Sequence, residues 1–284
     1  MSVAYVIRAH HRPAQLGRLV DRLTAERVSF HVHVSGTTSA ETYAEMRQAL
    51  DGRSDVEWVE RVPIYYLGWS MVEAMVNGIR SAVARDPGHV IVVSGQDYPL
   101  KRPDEIAARL ASDAGTSFVH HYRLPTNAWQ REGGGMRRLR YYWFERLRVY
   151  GRPVRLPLVR RRLPDGLEPY GGSSWVALAG DAARYVVRFV DDNPDVVRFF
   201  RKTLIPDELF VQTVLLNSPL RDRVVNEEVH YVDWSANETS PKTLTAEDFP
   251  ALAASDKLLA RKFDVKQDAE VLDMIDRELL GGRP

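Results

Sequence analysis

The sequence contains no cysteine in 284 residues. This absence excludes disulfide bonds, thiolate nucleophiles and zinc or iron–sulfur sites with cysteine ligands. No apolar run approaches the roughly 20 residues that a membrane-spanning helix needs. The N-terminus, MSVAYVIRAHH, lacks the length and the small-residue cleavage site of a signal peptide. We therefore expect a soluble, cytoplasmic protein that is at most peripheral to a membrane.

Several motifs that mark common ligand sites are also missing. The chain has no G-x-G-x-x-G after its first predicted strand, no G-x-x-x-x-G-K-[ST] and no G-x-S-x-G. We therefore do not expect a Rossmann dinucleotide site, a Walker-type phosphate loop or a hydrolase nucleophile elbow. His31 and His33 share one face of a predicted strand. Two ligands do not complete a metal site, so this pair favours packing over metal binding.

The composition is that of a globular protein, with 44% hydrophobic residues and a formal net charge of +1. A chain of this length can bury a sizeable core, and its overall charge favours no class of partner. Predicted strands lie at 3–9, 29–34, 56–59, 89–93 and 117–121, and predicted helices at 13–26, 40–50, 70–84 and 103–112. Such alternation predicts an α/β fold with a mostly parallel sheet and helices on both faces.

In a parallel sheet of this kind, ligands bind beyond the carboxyl ends of the strands. The predicted strand ends are Ala9–His10, Ser35–Gly36, the loop before Gly68–Trp69, and the segment from Ser94 to Asp97. The sequence therefore predicts that these segments meet at one edge of the sheet and form the ligand site there.

The alternating pattern breaks between residues 123 and 170. Residues 131–162 hold eleven arginines, opposed only by Glu132 and Glu145. This segment could bind an anionic acceptor, an acidic glycan or a lipid headgroup surface, and the aromatic run YYWF would contribute an aromatic contact with it. It could equally be a solvated, partly helical loop whose arginines pair with acids elsewhere. No recognised nucleic-acid-binding motif accompanies it, so we expect no nucleic-acid partner.

Seven segments occur in a characteristic order: AHHRPAQLGRL, YYLGWSMVEA, SGQDYPLK, GGSSWVAL, IPDELFVQTVLLNS, YVDW and LLARKFD. Together they resemble the family of core-2/I-branching N-acetylglucosaminyltransferases and peptide O-xylosyltransferases, over nearly the whole chain. The resemblance implies a GT-A-type α/β fold, inverting transfer from a UDP-sugar, and a site that requires no metal or other cofactor. The simplest organisation is one domain, 1–284, with a nucleotide-sugar half (1–122), the Arg-rich insert (123–170) and an acceptor and catalytic half (171–284).

Asp97 lies in SGQDYPLK, directly after a predicted buried strand. Aspartate commonly tightens a turn before a proline, so a structural role is one interpretation. Many GT-A enzymes place an Asp-x-Asp here to hold a divalent ion, but this chain has only one carboxylate, which is a poor cage for a hard cation. We therefore expect Asp97 to make a structural or sugar-hydroxyl contact in the donor site.

The leaving UDP needs cations nearby, because negative charge develops on the diphosphate as the glycosidic bond breaks. The family uses basic residues of the segment that matches ARKFD, which implies this role for Arg261 and Lys262. Arginine can bind two phosphate oxygens at once, whereas lysine acts as a point charge. The alternative is an exposed basic pair without a specific function.

Inversion by direct displacement also needs a carboxylate that takes the proton of the acceptor hydroxyl. Pro206, Asp207 and Glu208 are predicted to begin a helix. Acids in a first helical turn can simply stabilise the helix dipole, by roughly 0.3–1 kcal/mol. The residue pattern does not distinguish the two acids; the resemblance implies that Glu208 is the base.

The resemblance implies two further sets of contacts. The expected donor-site residues besides those above are His10, Ser35 and Tyr66, and the expected acceptor-site residues are Gly171, Gly172, Ser173, Trp175 and Trp234. The two glycines would let the backbone approach a ligand closely. Trp175 could stack on a sugar or pack in the core.

The chain departs from the family pattern at two positions. Ser174 stands where the xylosyltransferases carry an aspartate, which argues against transfer of xylose. Ser35 stands where the family usually has an aspartate that contacts the nucleoside. Serine keeps a hydrogen-bonding group there but loses the charge.

The sequence thus predicts a metal-independent, inverting glycosyltransferase. We expect it to transfer a sugar, in particular N-acetylglucosamine, from a UDP-sugar to a hydroxyl of a glycan, glycolipid or small molecule. One alternative is a metal-dependent transferase that uses another nucleotide-sugar. Another is a non-catalytic protein that binds carbohydrate or an anionic surface.

Overall fold

A computed structural model describes residues 1–236 and 240–282. The central sheet has seven strands in the spatial order β12 (Val224–Val225), β6 (Ser117–Phe118), β11 (Ala177–Ala179), β4 (His89–Ser94), β1 (Val3–Ala9), β2 (Val28–Val34) and β3 (Val56–Trp58). All neighbours are parallel except β11, which runs antiparallel to both β4 and β6. The predicted mostly parallel sheet is confirmed.

Strand β1 lies inside this sheet, between β4 and β2, and is buried on both faces. Its residues are apolar except for Arg8, the next-to-last residue of the strand. A strand covered on both sides reads as a continuous apolar run, which explains its sequence. The register places Arg8 opposite Ser94 of β4 and His33 of β2, at the carboxyl end of the sheet.

Helices cover both faces of the sheet. One face carries α1 (Pro13–Leu23), α2 (Ala40–Ala49), α4 (Pro103–Ser112), α9 (Phe249–Ala253) and α10 (Glu270–Glu278). The other carries α3 (Ser70–Val83), α6 (Gly180–Asp192), α7 (Pro194–Phe200) and α8 (Phe210–Leu216). Alternate residues of β1 point into the two layers: Tyr5 and Ile7 pack in the first, Ala4 and Val6 in the second.

Three smaller strand groups complete the fold. The first is a three-stranded sheet of β13 (His230–Val232), β14 (Leu259–Arg261) and β5 (Asp97–Pro99), in that order. The second pairs β7 (His121–Arg123) with β10 (Tyr170–Gly172), and the third is a hairpin of β8 (Tyr141–Val149) and β9 (Arg152–Arg160). Helix α5 (Met136–Arg140) precedes the hairpin, and 3-10 turns lie at Asn127–Glu132, Pro206–Glu208, Arg221–Arg223 and Ala246–Asp248.

The interpretation of the Arg-rich insert as a partly helical loop is wrong for most of its length. Only α5 and the 3-10 turn before it are helical, and 141–160 form the hairpin. Aromatic and β-branched residues favour strands, and they are frequent on both sides of the turn. Tyr150 and Gly151 both have positive φ, at 47° and 74°, as the tight turns of hairpins require.

Two element boundaries also differ from prediction. The strand predicted at 117–121 divides into β6, in the central sheet, and β7, which pairs with β10. The helix predicted from Pro206 begins as a 3-10 turn and becomes α-helical only at Phe210. The turn is separate because Leu209, between the two, has a φ of −131° that no helix continues through.

The two histidines of β2 are hydrogen-bonded inside the protein. His31 Nδ1 lies 2.7 Å from Ser81 Oγ, and His33 Nε2 accepts a hydrogen bond from the amide of Val62. Within 1–236 and 240–282, no three His, Asp or Glu side chains are grouped so that they could hold a metal ion.

None of the helices in the described part of the chain combines the length and the apolar character that crossing a bilayer demands.

Candidate active site

Segments from distant parts of the chain meet at the carboxyl edge of the central sheet. Strands β1 and β4 end at this edge, and β11 begins there because it runs in the opposite direction. Arg8 and Ser94 therefore come close to Trp175, which precedes β11. The small sheet adds Arg261, because β14 pairs with β5 in a register that sets Asp97 opposite Arg261.

Asp97 is fully buried and holds these segments together. Its carboxylate accepts hydrogen bonds from the Ser94 amide (2.9 Å) and Ser94 Oγ (2.6 Å). It also lies 3.2 Å from Arg261 Nε and 3.3 Å from His230 Nε2. Burial alone would raise the pKa of Asp97, but Arg261, His230 and Ser94 outweigh it and lower the pKa to about 2. Asp97 is thus an ionised anchor for Arg261.

This burial bears on the expected donor contact of Asp97. The side chain has no exposed surface, and both of its oxygens already have protein donors. The structure therefore supports the structural interpretation of Asp97 and not direct contact with a donor sugar, because a ligand would have to displace those donors.

Trp175 contacts two guanidinium groups. Arg261 Cζ is 3.8 Å from the centre of the indole ring, and Arg8 Cζ is 4.7 Å from it. Cations at this distance from an aromatic face are attracted to it. The tryptophan is half-buried, so it both packs against the core and positions two charges.

Arg8 is a site residue that our sequence reasoning missed. Its Nη1 lies 3.9 Å from Asp207 Oδ2, and its Nε has no hydrogen-bond partner among the described residues. Burial lowers the pKa of Arg8, as does Arg261, while Asp207 and Asp97 act in the opposite sense. The signal was available: Arg8 is the one charged residue in the strand VAYVIRA, and it stands next to the carboxyl end.

The turn Pro206–Glu208 brings two acids to the same edge, in different surroundings. Asp207 is buried and accepts a 2.8 Å hydrogen bond from Ser174 Oγ. Its Oδ1 has no partner among the residues that the structure describes. Glu208 keeps 32% of its side-chain surface exposed and accepts a 2.6 Å hydrogen bond from Arg138 Nη1.

The environment of Glu208 raises its pKa above the ordinary value of a glutamate. Burial is the largest influence and raises the pKa of Glu208 to about 7, against the lowering effect of Arg138. The negative charges of Asp207 and Glu132 raise it further. A carboxyl with a pKa near neutrality is suited to proton transfer, because it can both accept and release a proton at physiological pH.

Arg138 shows that the Arg-rich insert is part of the site. Its side chain is buried, forms ion pairs with Glu132 and Glu208, and lies 4.0 Å from the ring centre of Trp129. The interpretation that arginines of the insert pair with acids therefore holds for Arg138. The sequence did not predict that one of those acids would be Glu208.

Lys262 and Tyr66 differ in their surroundings. Lys262 follows Arg261 at the end of β14, and its ammonium group donates a hydrogen bond to Ser240 Oγ. Tyr66 is exposed. Partial burial and the charges of Asp207 and Glu208 raise the pKa of the Tyr66 phenol, while Arg261 lowers it, so these groups are within electrostatic range of one another.

Three other predicted residues lie outside this cluster of contacts. Ser35 is buried, and its hydroxyl bonds to Thr37 and accepts from the amide of Ile64, so it organises its own loop. The predicted nucleoside contact of Ser35 is therefore not supported. His10 is exposed at the end of β1, with its ring 4.0 Å from that of His11. Trp234 is exposed just beyond β13.

The two glycines are required by close packing within the protein. A Cβ atom on Gly171 would overlap the ring of Trp129, and one on Gly172 would overlap the carbonyl of His120. The backbone thus approaches other parts of the protein closely at these positions, and the predicted approach to a ligand stays a prediction. The hydroxyl group of Ser173 is also hydrogen-bonded within the protein, because its Oγ donates a 2.5 Å hydrogen bond to Glu228.

Comparison with known proteins assigns most of the chain to one family. A sequence model of the "Core-2/I-Branching enzyme" family matches residues 3–253. Xylosyltransferase 2 from Rattus norvegicus is 26% identical to the chain, and xylosyltransferase 1 from Homo sapiens is 25% identical, each over 99% of the chain. The matches cover 34% and 31% of those proteins, so the chain spans about a third of the length of these curated relatives.

Among solved structures, the galactosyltransferase LgtC in complex with donor and acceptor sugar analogues superposes with a TM-score of 0.44 at 9% identity. The superposition covers 99% of this chain and 97% of LgtC. The family match covers most of the sequence and includes the segments that carry Arg8, Asp97, Trp175 and Glu208. The chain therefore belongs to the Core-2/I-branching enzyme family.

Proposed function

We propose that this protein is an inverting glycosyltransferase that transfers a sugar from a UDP-sugar to a hydroxyl group, with Glu208 as the catalytic base. The observation that carries the proposal is the position of Glu208. An accessible carboxyl with a pKa of about 7 stands at the same sheet edge as two arginines fixed around Trp175. Membership of the family and the names of its relatives support transfer of a sugar.

The proposed reaction is a single displacement at the anomeric carbon. The acceptor oxygen forms a bond to that carbon while the bond to the UDP oxygen breaks. The proton of the acceptor hydroxyl passes to Glu208, and the electron pair of the broken bond leaves with UDP. Glu208 must be ionised to accept the proton, so the active form predominates above its pKa.

The leaving diphosphate gains negative charge, and we assign its stabilisation to Arg261 together with Lys262. Asp97 holds Arg261 in place before any ligand arrives, so little reorganisation is needed when the charge develops. Arg8 adds a second guanidinium against the ring of Trp175. These cations are the basis for proposing that the reaction requires no metal ion.

For the donor we propose UDP-N-acetylglucosamine, with UDP-xylose as the second candidate. The names of the relatives favour xylose. Against this, the chain has Ser174 where the xylosyltransferases carry an aspartate, and the Ser174 hydroxyl is bonded to Asp207. An aspartate at position 174 would place a second negative charge beside Asp207. This part of the site therefore differs in charge between this chain and the xylosyltransferases.

Replacement of the proposed base gives the first test. Glu208→Gln removes the proton acceptor at nearly constant shape, so sugar transfer should fall by about 10²- to 10⁴-fold. UDP binding should be unchanged, because Glu208 is not among the groups assigned to the diphosphate. Single-turnover assays and calorimetry measure the two quantities. Glu45→Gln, on the exposed side of α2, is the control, and transfer at the wild-type rate by Glu208→Gln would contradict the assignment.

The pH dependence of transfer gives the second prediction. Because Glu208 acts when ionised and its pKa is about 7, kcat/KM should rise with pH through that value and level off above it. Arg138 lowers this pKa, so Arg138→Gln should move the rise to higher pH. Arg138→Lys, which keeps a cation, should shift it less. A pH profile that is identical in wild type and Arg138→Gln would refute the coupling.

Ligand-induced stabilisation gives the third prediction. A ligand at about 100 times its dissociation constant should stabilise the fold by roughly 2.7 kcal/mol. We expect UDP-N-acetylglucosamine to raise the melting temperature equally with EDTA and with Mn²⁺. A larger shift with UDP-xylose would replace the proposed donor, and a shift that appears only with Mn²⁺ would replace the metal-free mechanism. If no nucleotide-sugar stabilises the protein, the alternative of a non-catalytic binding protein is favoured.

A further inference from the structure

The hairpin of β8 and β9 is attached to the body of the protein at the rim of the candidate site. Glu145 Oε2 accepts a 3.0 Å hydrogen bond from the amide of Ser70, at the start of α3. Arg148 Nη1 donates a 3.0 Å hydrogen bond to the carbonyl of Tyr66. Pro153, paired with Arg148, is buried. These contacts define an inner side of the hairpin that faces the loop carrying Tyr66.

The outer part of the hairpin exposes large apolar side chains. Leu158 is 92% exposed, and Tyr150, at the turn, is fully exposed. Val149 is opposite Arg152 in the register, and side chains alternate from there along β9, so Val149 shares a face with Leu156. Leu158 lies just beyond, where the register shifts. All three are exposed. This outer face is continuous with the turn, and among the described residues β8 and β9 form strand pairs only with each other.

The same hairpin is strongly basic. It carries Arg146, Arg148, Arg152, Arg155 and Arg160 against a single acid, Glu145. A second copy of the chain would bring like charges together at this face, which disfavours self-association through it. Exposed aliphatic and aromatic side chains among arginines are instead the composition that binds the interface of an anionic bilayer.

We propose that the β8–β9 hairpin docks onto the surface of a membrane that contains anionic lipids. Tyr150, Leu158 and the neighbouring outer-face side chains enter the boundary between headgroups and acyl chains, while the exposed Arg152 and Arg160 pair with lipid phosphates. The hairpin then holds the rim of the site, through Tyr66, beside the bilayer. The docking proposal itself does not depend on the proposed sugar transfer.

Vesicle flotation of the full chain tests this proposal. The protein should float with vesicles of phosphatidylcholine and phosphatidylglycerol and remain unbound with phosphatidylcholine alone. Leu158→Asn should weaken binding by roughly tenfold, because it removes a buried apolar side chain from the docked state. Val225→Asn, which replaces an exposed apolar residue of β12, is the matched control and should bind as the wild type does.

The charge contribution needs its own variant. Arg152 and Arg160 are exposed, so the double substitution Arg152→Gln and Arg160→Gln should leave the fold intact. Each lost arginine should weaken binding about fivefold, the factor that corresponds to roughly 1 kcal/mol per basic residue near an anionic surface. Arg188→Gln on α6 is the control. The melting temperature of each variant verifies folding.

Three results would overturn the proposal. The first is failure of the wild-type protein to bind the anionic vesicles. The second is vesicle binding that Leu158→Asn and the arginine variant leave unchanged, which would assign it to another surface. The third is a dimer in solution that Leu158→Asn dissociates, which would assign the outer face to a second copy of the chain.

Discussion

The buried ion pair between Asp97 and Arg261 is the interaction on which the rest of the candidate site depends. A carboxylate without exposed surface would be strongly destabilising if it lacked partners. Asp97 has them in the Ser94 amide and hydroxyl, His230 and Arg261. This requirement ties the end of β4 to β14, which is more than 160 residues away in the chain. The position of Arg261, and with it the contact that Arg261 makes with Trp175, follows from this one buried charge.

Positive and negative side chains are interspersed in the site around this pair, and their charges offset one another. Arg8 and Arg261 both contact Trp175 and would repel each other, and Asp207 and Asp97 offset that repulsion. Glu208 stands at the border of this group and is tuned by the insert, since Arg138 is its direct partner. The Arg-rich insert is therefore part of the candidate site. Its first part sets the protonation of the proposed base, and its hairpin forms the rim near Tyr66.

The sequence was sufficient for the main elements of the central sheet because apolar periodicity and helix-start signals were strong there. Helix α4 agrees with prediction to the residue, and β1 does as well. The rule that ligands bind at carboxyl ends of parallel strands located the edge. The seven segments identified the family, and with it Arg261 and Glu208 as residues of that edge.

The remaining features depend on contacts between distant residues, which periodicity does not encode. Arg8 belongs to the site only because the register aligns β1 with β4 and because β11 runs in reverse. The pairing of Arg138 with Glu208 joins residues 70 positions apart. Gly171 had an interpretation from local chemistry, close approach to a ligand, but the neighbour proved to be Trp129. The hairpin was missed because frequent arginines obscured its alternating pattern.

The most direct test of the central claim is the affinity of UDP in the presence of EDTA, measured by calorimetry for the wild type, Arg261→Gln and Asp97→Asn. If Asp97 holds Arg261 ready for a diphosphate, the wild type binds UDP without metal. Both variants should bind it at least about tenfold more weakly, because hydrogen bonds to charged groups contribute roughly 1.5–3 kcal/mol. Arg261→Gln leaves Asp97 with Ser94 and His230, so it reports on the cation even if Asp97→Asn does not fold. UDP binding that is undiminished in Arg261→Gln, or that requires a divalent ion in the wild type, would contradict the account.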